Sequence, residues 1–403
     1  SNSIYGVDLD PGAIEIAKLR LWLSLVVEED FPSPLPNLDH KIMQGNSLIS
    51  EYEGIKLFNK GFLNAAQSKE EIKAKINELQ REYILLVNND QFTNSSKAEL
   101  EVKLKPLNKS LAALERSENI SQDNRDLFKA DDLNKIAQQK TSELLAKVAK
   151  HISTHSQSDK ERLKKEIYND KWDLIKITLQ EKAEEAKLDA IKELRRQRIM
   201  PFFIWELEFG DVFKNKGGFD VIIANPPYGV KVDTDLRDKY GLGNKDTYGL
   251  FMLLATEKLL KPEGFMSFIV SDTWLTIKTH FKLREQMIKK QMHLMIRLHQ
   301  DCFSATVNSC IFHLKNKPNE NGNFITADLT NISTKTELAE LNKKLFNLNS
   351  YAGNATPKFA IYKYEQDLIK LNTNLPIFTI SPKLFALMND TSCNAIKHNE
   401  IQA

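Results

Sequence analysis

Residues Phe219–Lys231 read FDVIIANPPYGVK, an apolar run that stops abruptly on Asn-Pro-Pro-Tyr. Phe219 to Ala224 has the unbroken Val/Ile character of a strand buried on both faces, as in parallel sheets. Asn and Pro are ordinary turn formers and proline cannot continue a central strand, so one reading of Asn225–Tyr228 is a plain turn. A second reading comes from chemistry. An exocyclic ring amine shares its lone pair with its ring, and a methyl group can be placed on that nitrogen only if the pair is drawn back. The Asn225 side-chain oxygen and the Pro226 carbonyl can accept the two amine hydrogens, while Pro226 and Pro227 hold both acceptors on one point. Tyr228 offers a π-face on which an extruded base can stack. No general base is required, because the amine proton becomes acidic only after methyl transfer.

The flanking sequence supplies a parallel α/β frame. Ser3–Leu9 reads as a strand, Asp10-Pro11-Gly12 as a turn, and Ala13, Ile14, Ala17, Leu21 and Leu25 recur at helical spacing. After a stiff loop with Pro32, Pro34 and Pro36, His40–Ile42 is a second strand. Further on, Phe202, Phe203, Trp205, Leu207 and Phe209 form an aromatic rejoining segment. A helix over Gly249–Leu260 is closed by Lys261-Pro262-Glu263-Gly264. Phe265–Val270 is the next strand, Phe281–Lys290 a helix, Leu294–Leu298 a strand, and Ser309–Leu314 an expected antiparallel sheet edge. In open parallel sheets ligands sit at the carboxyl ends of strands. Asp8, at one such end, suits either the two hydroxyls of a ribose or a turn, whereas Asp10 before Pro11 reads as a helix cap. Asn46, in Gly45-Asn46-Ser47 after the second strand, reads either as a reader of an adenine edge or as a turn residue.

Between these parts the composition changes. Residues from about 60 to 200 are rich in Lys, Glu, Gln, Ala and Leu. Ile72, Ile76, Leu79, Tyr83 and Leu86 keep a 4-3-4-3 spacing, repeated by Leu100, Leu104, Leu107, Leu111 and Leu114 around Pro106. A third helix is expected over Asp132–His151 and a long fourth over Asp159–Ile199. The expected division is 1–58, first part of the α/β core; 59–200, helical insertion with coiled-coil-like hairpins; 201–315, second part of the core; and 316–403, the start of a target-recognition region. The charges of the insertion, including Arg195-Arg196-Gln197-Arg198, read as a solvated face that leaves room for a protein partner.

Whole-chain properties narrow the classes. At 403 residues the chain exceeds one ordinary domain, and 56 Lys+Arg against 54 Asp+Glu point neither toward nor away from nucleic acid. Cys302, Cys310 and Cys393 form no C-x-x-C pair, which fits a reducing, cytoplasmic setting, and no metal-ligand pattern stands out. No apolar run reaches membrane-spanning length. The chain has no initiator Met and opens Ser-Asn directly before a mid-domain strand, as an excised piece would.

FDVIIANPPYGVK resembles the catalytic motif of amino-methylating DNA methyltransferases. The likeness extends to YGVDLDPGAIEIAKLRLWLSL, HKIMQGNSLI and PFFIWELEFGDVF, which are similar to the methylase region of type IIG restriction–modification enzymes. It covers roughly residues 3–50 and 200–315, in the order of the gamma class, where Asn-Pro-Pro-Tyr accompanies adenine-N6 methylation. The resemblance implies an α/β, Rossmann-like methyltransferase fold with a large all-α insertion, S-adenosyl-L-methionine as cofactor and double-stranded DNA as partner. It implies that Asp8 holds the cofactor ribose, Asn46 its adenine, Asn225–Tyr228 the target base, and Phe303 an aromatic contact to that base. Phe303 reads equally as a core residue before a strand, and Asn46 stands where the family more often has an acidic residue. No Gly-x-Gly loop precedes Asp8, so the fold is expected to be truncated on its N-terminal side and the isolated piece inactive. No nuclease constellation is found; Glu101-Val102-Lys103 falls on a helical seam. Two other readings stand beside this one: a methylase scaffold that only binds DNA or assembles with a partner, and a protein-glutamine methyltransferase.

Overall fold

Strand β1 (Gly6–Asp8) pairs in parallel with β2 (Ile42–Gln44), and helix α1 (Pro11–Glu28) connects them. Asp10 starts that helix as expected: its Oδ1 accepts the Gly12 N–H at 2.7 Å, and Pro11, which has no N–H to lose, takes the first helical position. Ile14 of α1 packs with Leu38 and Ile42. The computed structural model describes residues 4–28, 37–63, 76–81, 102–105, 107–108, 130–154, 156–196, 202–228, 238, 240, 242, 247–300, 308–320, 322–332, 359–370 and 381–389. They divide into two compact units, Ser1–Asn215 and Lys216–Ala403.

In the first unit a small hairpin, β3 (Glu51–Tyr52) and β4 (Ile55–Lys56), leads toward the insertion. Its described core is the pair α2 (Ala130–Ser153) and α3 (Gln157–Glu181). Ser156 caps α3 through the Asp159 N–H, and Leu163, Ile167, Leu174 and Ile175 bury its inner stripe. The long fourth helix expected over Asp159–Ile199 is instead two. α3 stops at Glu181, Ala183 takes a left-handed φ of 54°, and α4 (Lys187–Arg196) starts anew. Ile76 of the first 4-3-4-3 run packs on Leu104 and Leu107 of the second. Leu79, one turn on, is helical and half-buried, and Ile72, Tyr83 and Leu86 lie outside the described residues. The aromatic segment with α5 (Trp205–Glu208) and α6 (Gly210–Lys216) belongs to this unit up to residue 215, not to the second part of the core.

The second unit is a six-stranded mixed sheet in the order β10-β9-β7-β8-β6-β5. β5 (Phe219–Ala224), β6 (Leu260–Ser271), β7 (Lys290–Arg297) and β9 (Asn323–Asp328) run parallel to one another. β8 (Ser309–Pro318) and β10 (Ala360–Glu365) oppose them. Two expectations change here. β8 is antiparallel but central, inserted between β6 and β7, rather than an edge. Among the described strands β5 is terminal, and its Val221 and Ile223 are 52% and 79% exposed rather than buried on both faces. The boundary expected at 316 falls inside β8, and β9 and β10 extend the same sheet. Gln366, fully buried at the start of a short helix after β10, seals the join by accepting the Met292 N–H and donating to the Ile288 and Lys290 carbonyls.

The buried face of the sheet carries Met266, Phe268, Val270, Cys310, Phe312 and Leu314. It is packed by α7 (Thr247–Leu254), which runs into a π-helical turn, by Trp274, and by α8 (Phe281–Ile288). Arg284 of α8 is buried and donates to the Trp274 and Ile277 carbonyls at 2.7 Å, closing the turn that follows β6. No helix among the described residues is long and apolar enough to cross a membrane.

Candidate active site

The two units each present candidate functional side chains at strand carboxyl ends. In the first unit, Asp8 closes β1, and its carbonyl accepts the Gly45 N–H at 2.9 Å. One carboxylate oxygen accepts the Asp10 N–H; the other has no partner among the described residues. The side chain is exposed: one carboxylate oxygen stabilises the turn and the other faces no donor among the described residues.

Asn46 follows β2 on the same edge. Its Oδ1 accepts the Leu48 N–H at 3.2 Å, which leaves the amide NH₂ as the group it can offer a ligand. That NH₂ is a donor and can meet an acceptor. The loop is held by the rejoining segment: Phe203 N–H donates to Ile49 O at 2.7 Å and Trp205 Nε1–H to Ser47 O at 2.9 Å. Gly45 lies so close to Phe203 that a Cβ would sit 2.5 Å from its ring. Behind β1, the Tyr5 hydroxyl donates to Asp211, and burial together with that carboxylate raises its pKa to about 12. The strand-end residues of the first unit are thus a fixed pair.

In the second unit β5 delivers Asn225 to the carboxyl edge shared with β6, β7 and β9. Asn225 is exposed, and its side chain has no partner among the described residues, so its amide oxygen is free to accept. Pro226 is buried and Pro227 exposed. The Pro227 carbonyl accepts the Thr247 hydroxyl at 2.8 Å. Tyr228 is half-buried with its hydroxyl turned inward and unpartnered. Burial, with the Cys310 thiol nearby, raises that hydroxyl to about 12, so it stays neutral. Cys310 itself is a buried packing residue that accepts from Trp274 Nε1–H; Cys302 and Cys393 lie outside the described residues.

Sequence reasoning missed the polar groups that tie this edge together. Asp272, just after β6, accepts from Nε and Nη2 of Arg297 at 3.0 and 2.9 Å; Arg297 ends β7 and also reaches Asp328 at the end of β9. Only the sheet order brings these three together, and their sequence separations carry no signal. The connection that contains Phe303 leaves β7 and enters β8 at this edge, but Phe303 lies outside the described residues. Among the described residues no group of His, Cys, Asp or Glu side chains suits a metal ion.

Comparison with known proteins places the chain. The sequence profile of the Eco57I restriction-modification methylases matches residues 2–303. The chain belongs to that family. A Methanocaldococcus jannaschii protein described as a type II restriction enzyme and methyltransferase is 28% identical over 334 residues, which is 79% of this chain and 26% of the relative. The type II methyltransferase M.VspI of a Vibrio species is 34% identical over 83 residues, 19% of this chain and 20% of the relative. The chain therefore spans about a quarter or less of the length of these relatives. Among solved structures, the type IIG restriction endonuclease BpuSI is similar at 15% identity and a TM-score of 0.31, over 39% of this chain and 20% of that one. A type I methyltransferase subunit from Streptococcus thermophilus is similar at 16% identity and a TM-score of 0.33, over 52% and 45%. The Eco57I-family chain has by its own elements the α/β architecture expected from its sequence, a mixed sheet accompanied by a helical region.

Proposed function

We propose that this chain carries the modification activity of a restriction–modification protein, moving a methyl group from S-adenosyl-L-methionine to the 6-amino group of an adenine extruded from double-stranded DNA. The observation that carries this reading is the Asn225–Tyr228 loop. An exposed, unengaged amide stands at a strand carboxyl end, followed by two prolines and an aromatic ring. Two acceptors, Asn225 Oδ1 and the Pro226 carbonyl, take the two hydrogens of the amine and favour a tetrahedral, nucleophilic nitrogen. The prolines contribute no N–H and little torsional freedom, so the acceptors need no reorganisation when the base arrives. Tyr228, neutral and held by its buried hydroxyl end, presents its exposed part as the stacking surface.

The residues of the first unit fit the cofactor chemically. Asp8 keeps a carboxylate oxygen for a ribose diol, and Asn46 keeps its NH₂ for a purine ring nitrogen. The cofactor supplies an electrophilic methyl on a sulfonium, which needs no acid or metal to depart. The chain's part is to orient the amine and to strip it of water; the proton is lost to solvent after transfer. Transfer of labelled methyl from S-adenosylmethionine to DNA tests this: Asn225→Ala is expected to lower the rate at least 100-fold with the fold intact. Equal rates for the two proteins would remove Asn225 from the mechanism.

A further inference from the structure

The prolines stiffen the Asn225–Tyr228 loop internally but cannot anchor it, since neither has an N–H with which to join a ladder. Something outside the loop must fix its place, and α7 does so. Thr247, 6% exposed at the first position of that helix, donates its hydroxyl to the Pro227 carbonyl at 2.8 Å. Among the described residues it is the one side chain that grips the backbone of Asn225–Tyr228. The next residue, Tyr248, is 1% exposed and fixes the start of α7 to the neighbouring strand end. Its hydroxyl lies 3.0 Å from Thr273 Oγ1, which in turn is 2.9 Å from Ser271 Oγ at the end of β6. The Tyr248 ring also stacks on the buried His280, centroids 5.7 Å apart at 10°. Adjacent residues thus hold two strand-end segments.

We infer that Thr247 is a positioning residue for methyl transfer: its hydrogen bond to Pro227 sets where the Pro226 carbonyl and Asn225 meet the target amine. The proline geometry makes the coupling tight. The ring of Pro227 fixes its φ, so one free torsion, ψ of Pro227, separates the gripped carbonyl from the Pro226 peptide plane. The ring of Pro226 leaves likewise only its own ψ between that plane and the peptide group that follows Asn225. A single hydroxyl therefore places the Pro226 carbonyl and the backbone from which the Asn225 side chain projects, and in oriented reactions a shift of about 1 Å can cost about 100-fold. A serine keeps the donor; valine keeps the shape and loses it.

This inference rests on the methyl-transfer reading, and the test separates the two. With 3-fluorotyrosine placed at position 228, the full chain is expected to give one narrow ¹⁹F resonance. Thr247→Val should at least double its width or split it, and Thr247→Ser should restore it. In the methyl-transfer assay, Thr247→Val should lower kcat about 10- to 100-fold, leaving KM for DNA within about twofold, with Thr247→Ser within about threefold of the parent. Should Thr247→Val unfold, Thr247→Ala carries the same comparison. An unchanged resonance and kcat in Thr247→Val, or a Thr247→Ser protein as impaired as Thr247→Val, overturns the inference. If a full-length version of the protein transfers no methyl group, or its Asn225→Ala variant transfers equally well, it is the functional reading that falls, and the fluorine comparison still judges the anchor.

Discussion

Acidification should loosen the first unit through His40. Among the described residues neither ring nitrogen of His40 has a hydrogen-bond partner, and the ring packs edge-on against His151 with centroids 4.8 Å apart. Burial, then the positive charge of Lys171, then His151 push its pKa down from 6.5 to about 4; Glu208 and Asp39 offset this only in part. The sign follows directly. The unfolded chain takes up a proton near pH 6.5 and the folded chain does not until about pH 4, so stability is full above 6.5 and falls as pH drops toward 4. At pH 5 the linkage amounts to about 2 kcal/mol, reduced to about 1–2 because the ring is not fully buried. His151, also lowered by burial, acts in the same direction. Urea unfolding followed by far-ultraviolet circular dichroism, which the helices of this unit dominate, should show a midpoint about 0.5–1 M lower at pH 5 than at pH 7.5. His40→Leu should abolish most of that difference, and His40→Leu with His151→Leu the rest. A parent protein that is equally stable at both pH values, or a His40→Leu protein that loses as much, would refute the reasoning.

Two further perturbations probe the same unit. Gly45→Ala should destabilise it by about 1–3 kcal/mol, because the new methyl meets the Phe203 ring at 2.5 Å, and Phe203→Leu in the same protein should recover part of the loss in thermal melts. Lys171 and Glu208 form a pair whose side chains are 8% and 11% exposed. Lys171→Met alone should cost about 3–5 kcal/mol in urea titrations by leaving a carboxylate buried and unpaired, while Lys171→Met with Glu208→Leu should return close to the parent.

The readable part of the fold was what local pattern controls. The helical spacing of Ala13–Leu25 gave α1, Asp10-Pro11 its start, and Asn225-Pro226-Pro227-Tyr228 a loop at a strand end. What depends on sheet order was not readable. Ser309–Pro318 looks like any apolar strand, and nothing local says that it inserts between β6 and β7. Val221 and Ile223 have core composition yet are 52% and 79% exposed, which their composition does not foretell. The break at Ala183 hides in a run of good helix formers without Gly or Pro. In the candidate site the motif was legible and its support was not. Thr247 looks like any residue that starts a helix, and Arg297 gains meaning only where three strands end beside one another.

The nature of the methylated base decides the central claim. DNA incubated with a full-length version of the protein and S-adenosylmethionine, digested to nucleosides and separated by liquid chromatography–mass spectrometry, should contain N6-methyladenine in the parent reaction and at least 100-fold less with Asn225→Ala. N4-methylcytosine as the product, or N6-methyladenine formed equally by both proteins, would contradict it.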